Sequence, residues 1–307
     1  MSPGWRPLWQ GLLLCLAASC AAPRGEGVPQ LRSAEELPAA HREVLAAWRE
    51  RGADWPLVRE RALEDPALRV FLVDNALVDL IRAWQRGDFT FADPGGYEEV
   101  RAEVVALGSA AAPSLAALLG VGNGYGPAIA SDLLLRMGPA GVEALLSEAS
   151  GADAELVRGQ ALDLLGGFGE LSPALEERVR LAAVEALAAD PAWIVRERAA
   201  RTLARRARAG NPGTTGEADA RLRSVVAALS RALADEDPAV SRAAAVGLGL
   251  VGDRRAVPAL VNHLERVLRG DDLAAARAVQ RGLETLTGVQ GPRTPAQWRD
   301  WLRSSRR

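Results

Sequence analysis

Beyond Ala34 the chain follows one period. Apolar residues return every three or four positions, polar residues fill the gaps, and no run alternates β-branched with polar residues as a half-buried strand would. The clearest stretch is EDPAVSRAAAVGLGLVGDRRAVPALVNHLERVL, Glu236 to Leu268. Asp237-Pro238 supplies an N-cap acceptor followed by a proline at the first helical position. Val240, Ala244, Leu248 and Val251 then fall on one helical face. Gly252-Asp253 ends that helix, and Val257, Leu260, Val261, Leu264 and Leu268 mark the next. Alanine and glycine along the first helix let a neighbour approach closely.

The pattern recurs, as it must in a stacked repeat. Val157, Ala161, Leu165 and Gly169 align with Val240, Ala244, Leu248 and Gly252. Ala130, Leu134 and Gly138 align too, as do Val195, Ala199 and Leu203 after Asp190-Pro191. The aligned alanines are 31, 38 and 45 residues apart, the drift falling in variable turns such as Ala209–Glu217. A degenerate copy spans Asp271–Gly288, and Asp65-Pro66 followed by Arg69 suggests a further helix pair near the N-terminus. Thr294-Pro295 starts a last helix on which Trp298 and Trp301 share a face, placed to seal the final apolar layer.

DPAVSRAAAVGLGLVGD, AVPAL and DPAWIVRERAARTLA resemble the HEAT-repeat family, in the short form also found in phycobilisome-lyase-like proteins. The resemblance covers most of Asp65–Gly288. It implies an all-α, right-handed α-solenoid of HEAT-like helix pairs. It also implies that Asp237/Arg242, Asp190/Arg196 and Asp153/Arg158 form a ladder between neighbouring repeats, a structural role and not a catalytic one. The expected organisation is a segment 1–19 that is removed, a tether 20–33, an N-terminal helical region 34–96, repeats over 97–288 and a capping helix in 289–307.

The N-terminus changes where this solenoid is expected to sit. Both cysteines, Cys15 and Cys20, lie in LLLCLAASCAAP, behind a single Arg6. The apolar run of about 11 residues is shorter than the ~20 a spanning helix needs and suits the core of a secretory signal. Leu16-Ala17-Ala18-Ser19-Cys20 resembles the lipobox of bacterial lipoproteins, with alanine where leucine is usual at the third position back. This implies that Cys15 leaves with the signal and that Cys20 is lipidated. The mature protein would then sit in the cell envelope on the periplasmic side. Ala21 in place of aspartate, by resemblance to enteric lipoproteins, favours the outer membrane.

Charge and chemistry narrow the function. From Cys20 onward 36 arginines face 39 acidic residues, a formal charge of −3, with no lysine. That balance and an export signal oppose nucleic-acid binding. No HExxH, CxxC, GxSxG or P-loop motif occurs. Gly120–Pro127, GVGNGYGP, fails dinucleotide-loop spacing because Tyr125 occupies the third glycine position, and it follows a helix. Deoxyhypusine hydroxylases, which are HEAT-like, bind iron through His-Glu dipeptides, and this chain has none. His263, with no second histidine nearby, reads as a surface or satisfied residue. No catalytic residue, metal ligand or cofactor is expected.

One feature stands out. Arg198, Arg201, Arg205 and Arg208 recur at intervals of three, four and three, a basic stripe on one helix. In register with Arg201, other repeats place Asp163, Val246 and Arg281, and this column is not a core column because Ala199 and Leu203 take the core positions. Two readings stand: a solvated face salt-bridged to the preceding Glu-rich helix, or a docking site for an acidic partner or phosphate headgroups through Arg198, Arg201, Arg205, Arg208 and Arg281. The function expected is a non-enzymatic, lipid-anchored protein-interaction scaffold. The alternative is a HEAT-like enzyme or lyase-like protein with an unrecognised active site.

Overall fold

The structure is a computed structural model describing residues 37–86, 96–120, 125–209, 216–291 and 293–305. Both cysteines, the lipobox-like segment, the tether and positions 121–124 of the glycine-rich stretch lie outside these residues. The described residues are all α, fifteen α-helices with no strand. They form two compact units that part between Ala144 and Leu145, inside helix Pro139–Gly151 (α7).

The first unit opens with α1 (Ala39–Glu50), α2 (Trp55–Glu64) and α3 (Pro66–Arg86), followed by α4 (Tyr97–Ala106), α5 (Ala112–Leu118) and α6 (Tyr125–Arg136). Asp65 caps α3 by accepting the Ala67 and Leu68 N–H groups at 2.8 and 3.1 Å, as Asp65-Pro66 predicts. The helix pair expected there is instead a trio, because α1, α2 and α3 each contact the other two. Tryptophan is the reason. Trp48 and Trp55 are buried edge-to-face with centroids 5.5 Å apart. Their indole N–H groups donate to Asp79 on α3 at 2.9 Å and Glu103 on α4 at 2.8 Å.

The second unit is the stack the recurring pattern predicts. Helices α8 (Glu155–Leu165), α10 (Trp193–Ala209), α12 (Pro238–Val251) and α14 (Leu273–Thr287) pack side by side, each on the next. Helix α9 (Pro173–Ala189) packs on α10, α11 (Gly216–Ala232) on α12, and α13 (Val257–Arg269) on α14. Helix α15 (Pro295–Ser304) closes on α13. The punctuation is that of the sequence: Asp237 accepts the Ala239 N–H at 2.7 Å, and Gly252 ends α12 at φ +78°. Helices α12 and α14 nearly touch backbones, since a Cβ on Gly249 would lie 2.7 Å from Gly282 Cα. Trp298 is fully buried in the cap, donates to Gln280 at 3.1 Å and meets Trp301 edge-on.

Two arginines tie successive repeats. Arg158 on α8 grips the Asp190 carboxylate through Nε at 2.8 Å and Nη2 at 3.0 Å, while its Nη1 donates to the carbonyls of Ala152 and Asp153. Arg196 on α10 repeats this, gripping Asp235 through two bonds of 2.9 Å and donating to the carbonyls of Asp190 and Pro191. Each arginine therefore bonds its own turn through backbone and the next repeat through a carboxylate. Burial alone would raise Asp190 and Asp235. The bidentate arginine, a backbone N–H and the arginine charge outweigh it, so both titrate below the ordinary carboxylate value. Of the expected pairs, Asp153/Arg158 and Asp190/Arg196 meet through the aspartate's main-chain carbonyl, the gripped carboxylate coming from the next repeat, and Asp237/Arg242 forms no rung. In register with Arg158 and Arg196 the chain has Ser241, and in register with Asp190 and Asp235 it has Gly270. Donor and acceptor of that rung are lost together, and Arg242, one residue further round α12, faces elsewhere.

Candidate functional site

The elements that set the ladder also set a surface beside it. Taking Val195, Val240 and Ala275 as equivalent starting points on α10, α12 and α14, positions one before and two, three and six after them supply most of the lining of one surface. There the three helices form an open groove of about 540 Å³. Its small side chains include Ala204, Ala243, Gly247 and Ala278. Helices α10 and α12 come close at Gly247, where a Cβ would lie 3.1 Å from Ala204 Cβ. Val246 and Leu250 stand 41% and 39% exposed within it, enough apolar surface for a ligand to cover.

Arginines surround this apolar patch: Arg201, Arg205, Arg242 and Arg281, against Glu197 as the one carboxylate in the lining. Arg201 bonds Glu197 at 2.5 Å, and Arg205 reaches across to Asp163 on α8 at 2.8 Å. Arg242 and Arg281 have no carboxylate partner among the described residues. A guanidinium presents a rigid fork of donors whose geometry suits a carboxylate or phosphate, and the groove sets such donors beside exposed apolar surface.

The five predicted stripe residues separate. Arg201, Arg205 and Arg281 line the groove. Arg198 instead turns to Asp163 at 2.9 Å and Glu197 at 3.6 Å, and Arg208 stays exposed in the last turn of α10 outside the lining. The salt bridges expected to the preceding Glu-rich helix belong to Arg206, which is buried and held by Glu176 on α9 and the Phe168 carbonyl. The stripe's own partners are Asp163 on α8, one repeat back, for Arg198 and Arg205, and Glu197 on α10 itself for Arg201. Arg242 is the residue that sequence reasoning placed wrongly. The signal was present in the register: counted from the buried valine, it sits one step past Arg196 and in line with Glu197.

Other candidate positions differ. A smaller cavity of about 120 Å³ lies among α9, α10 and α11, but its Glu176, Glu177, Arg180 and Arg206 satisfy one another. His263 is not on the surface: it is 3% exposed, and neither ring nitrogen has a hydrogen-bond partner among the described residues. Burial, then the nearby Arg266 charge, lowers its pKa and keeps the ring neutral. Asp74 on α3 is half-buried with one unpartnered oxygen, and desolvation raises it to about 6. Among the described residues no group of three or more His, Cys, Asp or Glu could hold a metal ion, and no helix is long and apolar enough to cross a membrane.

A family model described as HEAT repeats matches residues 181–280, within the second unit. No curated protein matches the chain. Similar solved structures include a designed armadillo repeat protein in complex with the peptide (KR)4, at 16% identity and TM-score 0.44, covering 75% of this chain and 98% of that one. A second is an engineered protein at 20% identity and TM-score 0.41, covering 70% of this chain and 96% of that one.

Proposed function

We propose that this protein is a non-enzymatic scaffold for protein–protein interaction, lipid-anchored through Cys20 in a bacterial cell envelope. The groove on α10, α12 and α14 carries the scaffold reading. Its donors surround exposed apolar side chains, an arrangement suited to holding a partner. Nothing in its lining pairs a nucleophile with a base, so recognition is the chemistry it offers. The envelope reading rests on Leu16–Cys20, and Ala21 in place of aspartate favours the periplasmic side of the outer membrane.

Both parts have direct tests. Metabolic labelling with an alkynyl fatty acid is expected to mark the wild type and not Cys20→Ser, with loss of the membrane fraction in the variant. An unlabelled, cytoplasmic wild type removes the envelope reading. A photo-crosslinking residue at Val246 is expected to capture a discrete protein partner in cells, whereas one at exposed Leu57 in the first unit is not. Equal capture at both positions removes the groove as the binding surface.

A further inference from the structure

We infer that the groove on α10, α12 and α14 takes an acidic protein segment that carries an apolar side chain between carboxylates. This deepens the scaffold reading and rests on it. Three observations select that chemistry. Four arginines and one glutamate line the groove, and Glu197 is already engaged by Arg201 and Arg198. The excess charge is thus concentrated on Arg242 of α12 and Arg281 of α14, the two without carboxylate partners among the described residues. Val246, one turn past Arg242 on α12 and in register with Arg281 on α14, is 41% exposed and offers a dry contact, with the small Ala243 and Ala278 leaving room beside it.

The groove's volume of about 540 Å³ falls within the 300–1,000 Å³ common for ligand pockets, enough for a few side chains and not for a folded domain. An apolar residue would cover Val246 and Leu250, while carboxylates on either side accept from the Arg242 and Arg281 guanidiniums. A basic segment would meet the like charges of Arg242 and Arg281, which no carboxylate among the described residues offsets. A purely anionic ligand such as a phosphate headgroup would leave the apolar patch uncovered. The unlike demands of rim and centre are what favour a peptide over a lipid surface.

The test uses the full chain and fluorescence anisotropy with a labelled peptide of alternating Glu, Asp and Leu. Its amide counterpart, with Gln and Asn for Glu and Asp, and an Arg-rich peptide serve as comparisons. The acidic peptide alone is expected to bind, more weakly as salt rises. Arg242→Glu and Arg281→Glu are each expected to weaken it about 10-fold or more, the usual cost of losing a charged hydrogen bond. Arg254→Glu, on the exposed turn before α13 and outside the groove, is expected to leave binding unchanged. Thermal melts of all three variants report on folding, and Val246→Ser gives a second loss of binding without a charge change.

The inference is overturned if the acidic peptide does not bind, if Arg254→Glu weakens it as much as the groove variants, or if the Gln/Asn peptide binds equally. It is also overturned if vesicles containing phosphatidylglycerol bind through Arg242 and Arg281 while the peptide does not. Should the peptide fail while Val246 still crosslinks to one protein in cells, the scaffold reading stands and only the ligand chemistry falls. Failure of both removes the two together.

Discussion

Two regions of the helix stack use arginine in opposite ways. Where α8 and α10 begin, the side chains of Arg158 and Arg196 are 15% and 10% exposed, and their donors are shared between two carbonyls and a carboxylate of the next repeat. One residue further round, Arg242 lines an open groove with no carboxylate of its own. A step of about 100° round an α-helix separates the clasped position from the open one. The lesson is that residue type does not assign the role. The carboxylate must arrive from the neighbouring turn, and where that turn offers Gly270 in place of aspartate the arginine position has become Ser241.

The comparison breaks most visibly at a rung. Asp235→Ala leaves Arg196 nearly buried with its main acceptor gone, and chemical denaturation is expected to show about 3 kcal/mol lost. Arg196→Ala should cost a similar amount, with the double variant costing less than the sum. Acid reads the same contact. Asp190 and Asp235 titrate lower in the folded than in the unfolded chain, so their contribution is complete above the unfolded carboxylate value near ~3.9 and vanishes as pH falls through the lower folded value. Stability measured against pH below about 4 should fall less steeply in Asp235→Asn than in the wild type.

Gly249→Ala comes next. Its Cβ would meet the backbone of Gly282, which no rotamer relieves, so about 2 kcal/mol should be lost as α12 and α14 are forced apart, and the groove with them. A third rung sharpens the comparison from the other side. Gly270 has an ordinary φ of −92° and room for a Cβ, and it ends α13 three residues before α14 as Asp190 ends α9 three residues before α10. Ser241→Arg with Gly270→Asp is expected to show a favourable coupling of about 1 kcal/mol in a double-mutant cycle, with neither single change stabilising. The smallest effect belongs to the groove: Arg242→Ala should change stability by less than about 0.5 kcal/mol while weakening binding of the acidic peptide.

Legibility followed the same division. Helix starts were plain because Asp-Pro and Thr-Pro specify a cap and a first turn locally, and Asp65, Asp237 and Thr294 each accept the backbone N–H that this requires. The solvent-facing column through Arg201, Val246 and Arg281 was readable because one helical period places it opposite the buried alanines and leucines. His263 was not readable. On α13 it lies between Val261 and Leu264, all three of them buried, and only the packed neighbours decide that no polar atom reaches its ring. The N-terminal trio was hidden for the same reason, since the Trp48 and Trp55 indoles find Asp79 and Glu103 across 31 and 48 residues of chain.

By itself, the amino-acid order determined an all-α chain, the recurring starts and stops of its helices, and which residues share a helical face. These are local matters, settled within a turn or two by caps, glycine and the 3.6-residue period. Tertiary packing decided which arginine is clasped and which is open. That depends on how far one helix is rotated and offset against the next, as when Arg198 and Arg205 cross to Asp163 on α8 and not to the adjacent Glu-rich α9. A helical period states the direction in which a side chain leaves its own helix, and only the neighbouring helix supplies what it meets.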